Sequence, residues 1–232
     1  MTAKKLILFL VEGVTDKTCI GSVLDQLISN QQVRFEITDG DITTKDGSNA
    51  ANILSRIGNI VNDFRSRFGL KPKDFLEVVH LIDMDGAYIA DGRIKYSEVG
   101  KNCYADSNIS TNKVEETKQR NIRKRAIINR LITINAVCRT IPYSAYYFSC
   151  NLDHVLHNRP NLNQNEKMEY ANSFEDQYID CPESFVDFLE QGSFAVPGDY
   201  TATWNFIRIG ENSLRRYTNF QLYFTNPRID RG

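Results

Sequence analysis

Leu6 to Val11 is an unbroken run of six apolar residues, stopped abruptly by Glu12-Gly13. A run this short and this uniform suits a central parallel strand buried on both faces. Beyond Gly13 the period changes. Ile20, Val23, Leu24, Leu27 and Ile28 recur at helical spacing, with Thr15 or Asp16 placed to cap the helix. Val33 to Ile37 then alternates and ends in the acidic loop Asp39-Gly40-Asp41. Ser48 is a candidate N-cap for a second helix carrying Ile53, Ile57, Ile60, Val61, Phe64 and Phe68, closed by Lys71-Pro72. Phe75 to Ile82 is a third apolar run, stopped by Asp83-Met84-Asp85-Gly86.

Residues 87–111 show little periodicity and read as a long loop or insertion, a kind of segment that is often functional. Asn112 with Glu115 spells a capping box for a third helix reaching Val137, and Ser144 to Ser149 is a tyrosine-rich strand. The first 150 residues therefore alternate strand and helix, which argues for a parallel sheet with helical crossovers. Met168 to Phe174, Glu183 to Leu189 and Thr203 to Phe224 read as largely helical, an extension packed on the sheet.

Composition bounds the partners. With 41% hydrophobic residues and a net charge of −1, the chain can bury a core but has no bulk attraction to nucleic acid or membrane. Any such attraction must be local. Five scattered cysteines without a C-x-x-C pair argue against a thiolate zinc site and fit reduced thiols in the cytoplasm. No signal peptide or membrane span is expected, and no G-x-x-x-x-G-K-[ST] loop is spelled.

The two acidic motifs carry the chemistry. Ligands of open parallel sheets sit at the carboxyl ends of the strands. If the strands ending at Val11 and Ile82 are parallel neighbours, Glu12, Asp83 and Asp85 converge at one rim. Hard oxygen donors without His or Cys suit Mg²⁺ or Mn²⁺, and such an ion stabilises phosphoryl charge and activates water. Taken singly, each motif is also satisfied by a capped helix start or a polar turn.

Leu10-Val11-Glu12-Gly13-Val14-Thr15-Asp16 after the first strand, with Asp83-Met84-Asp85 after a later one, resembles the Toprim domain. The spelling is most similar to OLD-type, AbiL-like, RloB-like and PARIS Toprim effectors of phage defence. The resemblance covers about residues 5–150. It implies an α/β fold with a four-stranded parallel sheet flanked by helices. Residues 1–150 would be the catalytic domain and residues 151–232 a mainly helical extension. It implies Glu12 as acid/base or metal ligand, Asp16 as its companion, and Asp83 and Asp85 as ligands. Related proteins carry an acidic residue and a His after the next strand, which brings in Asp153, His154 and His157. Their Pro and Trp are absent here. The resemblance further implies a nuclease acting on RNA, including tRNA, or on DNA. With no P-loop in the chain, it implies restraint or triggering by a separate ABC-type, OLD-type ATPase. A homo-oligomer is compatible with it. A topoisomerase is disfavoured by length, and a primase by the lack of a zinc-binding cysteine cluster.

Lys113, Lys118, Arg120, Arg123, Lys124, Arg125 and Arg130 against Glu115 and Glu116 give the third helix a local charge of +5. Lys118, Arg120, Arg123, Lys124 and Arg125 are the expected nucleic-acid contacts, with a solvated helix face as the plain alternative. Arg215 and Arg216 are a weaker second candidate. Two other functions compete. Asp83-Met84-Asp85-Gly86 also matches four of five positions of a haloacid-dehalogenase phosphatase signature, although Ala87 replaces the Thr. A non-catalytic Toprim scaffold that binds a partner is the third reading.

Overall fold

The computed structural model describes residues 4–38 and 40–225, so Asp39 of the expected acidic loop lies outside the described residues. Strand β1 (Leu6–Val11) leads into α1 (Val14–Leu27), β2 (Gln32–Ile37), α2 (Ile53–Phe68) and β3 (Phe75–Asp83). Three short strands come next, β4 (Ile94–Tyr96), β5 (Cys103–Ala105) and β6 (Asn108–Thr111). Then come α3 (Val114–Leu131), β7 (Ala136–Val137) and β8 (Ile141–Phe148). The chain closes with α4 (Leu152–His157), α5 (Gln164–Tyr178), α6 (Pro182–Gln191), α7 (Tyr200–Phe206) and α8 (Gln221–Phe224).

The main sheet has the order β2-β1-β3-β8-β7. β2, β1, β3 and β8 run parallel, and β7 pairs antiparallel with the edge of β8. The sheet is therefore mixed and five-stranded, where a parallel sheet of four was expected. The extra strand arises because α3 stops at Leu131 rather than running to Val137. Cys138 and Arg139 then adopt positive φ (48° and 73°), which reverses the chain into β8.

β1 shows why its run is apolar throughout. Ile7, Phe9 and Val11 face one core, shared with α1, α5, α6 and α8. Leu6, Leu8 and Leu10 face the other, shared with α2, α3 and Trp204 of α7. A period of two with a helical layer on each side leaves no position for a polar residue. The elements after residue 150 thus contribute to both cores.

Several local expectations differ from the structure. Residues 87–111, expected as a long loop or insertion, form a small separate sheet of order β4-β6-β5 over Ile89, Ile94, Ile109 and Leu214. The expected Ser48 cap and the Asn112–Glu115 capping box are not formed. α2 starts at Ile53 after a turn in which Asn49 Oδ1 accepts from the Ala51 and Asn52 amides. Glu115 instead pairs with Lys118 at 2.5 Å. Only Tyr200–Phe206 and Gln221–Phe224 of the last expected helical stretch are helical. Between them the chain is held by backbone bridges of Thr218 to Phe148 and Ala195.

Candidate functional site

β1 and β3 are parallel neighbours with Leu10 beside His80, so their carboxyl ends lie side by side. Glu12 leaves β1 there and Asp83 leaves β3. Asp83 Oδ1 accepts the Leu152 amide at the start of α4, 2.9 Å away. Met84 and Asp85 are pinned to β8 and its exit by amide bonds to the Phe148 and Cys150 carbonyls. Asp85 has a φ of 49° and Gly86 a φ of 68°. A Cβ on Gly86 would lie 2.6 Å from Leu214 Cδ2, so only glycine fits this turn.

Asp85 is the most heavily bonded acid of the group. Its Oδ1 accepts the Tyr104 hydroxyl at 2.9 Å and its Oδ2 accepts Lys124 Nζ at 2.6 Å. Arg120 donates to the Asp85 carbonyl at 2.8 Å and to the Tyr104 hydroxyl at 3.1 Å. Lys124 Nζ also donates to Asp41 Oδ2 at 2.7 Å, and its side chain is 0% exposed. Asp41 is itself oriented by the Thr43 amide at 2.7 Å. The small sheet has a function in this arrangement, because β5 delivers Tyr104.

The protonation preferences divide the carboxylates. Burial would raise the Asp85 carboxyl, but the Lys124 and Arg120 charges outweigh it and bring it down to about 2. Burial also works against the Lys124 ammonium, and Asp41 and Asp85 more than restore it. Glu12 is pushed well above the usual carboxylate range by burial, then by the charges of Asp41 and Asp83, with Lys124 opposing. Asp83 is pushed up by burial, then by Asp16 and Asp85. Glu12 Oε1 is buried and has no hydrogen-bond partner among the described residues.

A second group lies alongside. Asp16 Oδ2 accepts the Gly13 amide at 2.9 Å and so holds the start of α1. Its carboxyl is raised to about 6 by burial, against the Gly13 amide and Lys167. Asp153 is buried and bonded to Lys167 of α5 at 2.7 Å. His154 is buried with Nδ1 unpartnered among the described residues, and burial favours its neutral form. His157 packs on Tyr170 and Phe174, 3.7 Å from Cys19 Sγ. It makes none of the described contacts with Glu12, Asp83 or Asp85.

The expected nucleic-acid residues separate by the face of α3 on which they lie. Arg123 is exposed and Arg125 half-buried, while Lys118 holds Glu115. Lys124 is buried as the ion-pair partner of Asp85 and Asp41, not on the solvent-facing basic surface expected of it, while half-buried Arg120 reaches the Asp85 carbonyl and lines an open groove with Lys113 and Arg123. The helical period carried a signal for Lys124. It lies three, four and seven residues before Ile127, Ile128 and Leu131, all buried, so it shares their face. Asp41 and Tyr104 carried no comparable signal, because loop and sheet contacts bring them in.

The donors around Glu12 and Asp83 are hard oxygens, and neither carboxylate has an ion pair among the described residues although Lys124 and Lys167 lie near, which fits a divalent cation. No group of three or more His, Cys, Asp or Glu among the described residues forms a ready-made cage. All five cysteines are free. Among the described residues no helix is long and apolar enough to cross a membrane. Comparison of the chain with protein-family models, with curated proteins and with solved structures gives no match in any of the three.

Proposed function

We propose that this chain is a Mg²⁺- or Mn²⁺-dependent nuclease of the Toprim type, hydrolysing phosphodiester bonds in RNA or DNA. In this reading it is a cytoplasmic phage-defence effector controlled by a separate OLD-type ATPase. One observation carries the proposal. Glu12 and Asp83, from neighbouring parallel strands, lie at the carboxyl edge as half-buried acids whose partial burial and acidic neighbours outweigh the nearby Lys124 and Lys167 charges. Such acids favour either a proton or a cation, and at neutral pH a divalent cation competes well.

Glu12 and Asp83 would hold the ion, whose chemistry is to stabilise phosphoryl charge and lower the pKa of water. Asp83 is fixed by the Leu152 amide, so its free oxygen keeps one direction. Glu12, with Oε1 unengaged, is placed to take a proton from the attacking water. Asp85 and Asp41 hold Lys124 as a buried, fixed positive charge beside them, which acts on the site through its field and not by contact with a phosphate. Exposed Arg123 would meet the backbone of the polymer further out.

The test is incubation of the purified chain with tRNA, single-stranded DNA and plasmid in Mg²⁺ or Mn²⁺, beside Glu12→Gln and Asp83→Asn. Both substitutions should cut turnover roughly a hundredfold or more and weaken Mn²⁺ binding measured by calorimetry. Cleavage that survives both substitutions would sink the site. So would the absence of both cleavage and cation binding in folded wild-type protein. A haloacid-dehalogenase-type phosphatase remains the second reading, because Asp83 ends the middle strand of the sheet. A beryllofluoride adduct on Asp83 would favour it.

A further inference from the structure

β2 (Gln32–Ile37) is the outermost strand of the main sheet and pairs with β1 on one side only. The Gln32 amide donates to Lys5 O and the Thr38 amide to Val11 O. The even-numbered residues of β2 therefore bond inward. In a parallel ladder the intervening residues direct their N–H and C=O groups the other way. Val33, Phe35 and Ile37 thus present backbone groups along the outer edge. In agreement, the Arg34 guanidinium curls back onto the outward Val33 carbonyl at 2.8 Å, a substitute for a missing strand.

We propose that this edge pairs with β2 of a second copy of the chain, antiparallel and centred on Phe35. The sequence Gln-Val-Arg-Phe-Glu-Ile is self-complementary in that register. Phe35 faces Phe35 and Val33 faces Ile37, so every outward backbone group meets another outward group. Arg34 of each copy then faces Glu36 of the other, which Arg67 of its own chain also holds at 2.5 Å, at the closely spaced, non-hydrogen-bonded positions where side chains interact most strongly. Sliding one copy by two residues would set Arg34 against Arg34, or Glu36 against Glu36. Sliding by one would set outward groups against inward ones. Only one register satisfies both charge and backbone.

The flanking helices agree with the same two-fold axis. A groove of about 560 Å³ runs along the strand, lined on one side by Lys17, Gly21 and Asp25 of α1. A Cβ on Gly21 would lie 3.6 Å from the Phe35 ring, so this glycine sits close to the axis. Lys17 and Asp25 are one turn to either side of it, and the axis sets Lys17 of one copy toward Asp25 of the other. On the opposite face Phe68, 61% exposed, lies on the groove wall with Arg67. A strand alone is too narrow for a stable dimer, which buries about 1,200 Å² or more, so these helices belong to the interface.

The test is sedimentation velocity of the full chain over a range of concentrations, with circular dichroism to confirm folding. Wild-type protein should sediment with the mass of two chains. Arg34→Glu should raise the dissociation constant at least about tenfold, and the swap Arg34→Glu/Glu36→Arg/Arg67→Glu, which keeps the Arg67–Glu36 bridge with its signs reversed, should restore it. Ile37→Pro, which removes one outward N–H and no bond to β1, should give monomer. Three results would overturn the proposal. One is a wild-type monomer at every concentration. Another is a dimer indifferent to Arg34→Glu and Ile37→Pro. The third is a charge swap that fails to restore the dimer.

Discussion

Asp83 and Asp85 lie two residues apart at the end of β3, yet their surroundings are opposite. Asp85 has an ammonium, a hydroxyl and a guanidinium against it and is driven toward the charged form. Asp83 has one backbone amide and no ion pair among the described residues, and burial with its acidic neighbours outweighs the nearby Lys124 and Lys167 charges, so it is driven toward the protonated form with Glu12. One side of the site is electrostatically closed by the chain itself, and the other is left open. A carboxylate cluster therefore need not act as one unit. The closed half can supply rigidity and fixed charge, while the open half keeps its affinity for a ligand.

Three changes should break or sharpen this contrast. Lys124→Met has the largest expected effect. It keeps the volume but strips Asp41 of its ion pair and leaves Asp85 only Tyr104 and the Arg120 charge, and unfolding stability should fall by about 3 kcal/mol in urea titration. A loss below about 1 kcal/mol would mean that the closed half is solvated and the contrast is false.

The second concerns His80, which lies beneath the closed half and bonds the Tyr143 hydroxyl at 2.9 Å. Burial pushes its pKa down from 6.5 to about 4, opposed by the Asp41 charge and aided by Lys124. Between those values the unfolded chain binds a proton that the folded chain refuses, so stability falls as pH drops through this window. The loss should begin near pH 6.5, level off below about pH 4 and reach about 3 kcal/mol. His80→Asn, with its amide near the position of Nδ1, should remove that part of the slope. Equal slopes in the two proteins would refute the neutral, buried His80.

Glu12→Gln should have the smallest effect on stability, and in the opposite direction. The folded Glu12 carboxyl is raised above its unfolded value, so its ionisation costs stability at high pH and costs nothing once it is protonated. In chelator, the glutamine variant should be about 1 kcal/mol more stable at pH 8, with the advantage fading as pH falls. A destabilised variant at pH 8 would place Glu12 in the closed half instead.

The sequence made the open half readable and concealed the closed one. Glu12 follows a fully apolar strand and Asp83 a mainly apolar one that also carries Glu77 and His80, so local pattern alone located them at strand ends. Parallel pairing of β1 with β3 then made them neighbours. Lys124 was obscured by company, since six other basic residues lie between Lys113 and Arg130 and suggest a solvated face. Its buried position depends on helical phase, and a run of like charges masks that phase. Tyr104 lies on a strand of three residues, too short to show alternation. Asp41 reaches the site from a loop after β2, and nothing local in the sequence fixes where such a loop folds. The end of α3 is hidden because Ile132 and Ile134 continue the apolar pattern past the last helical turn.

The burial of Lys124 also has a chemical consequence. An amine with no exposed side-chain surface, held as an ammonium between two carboxylates, is shielded from acylating reagents that reach the protein's exposed lysines. It becomes nucleophilic only when the clamp opens and the proton leaves. Its rate of acylation therefore acts as a clock for opening of the site, wound by Asp41 and Asp85.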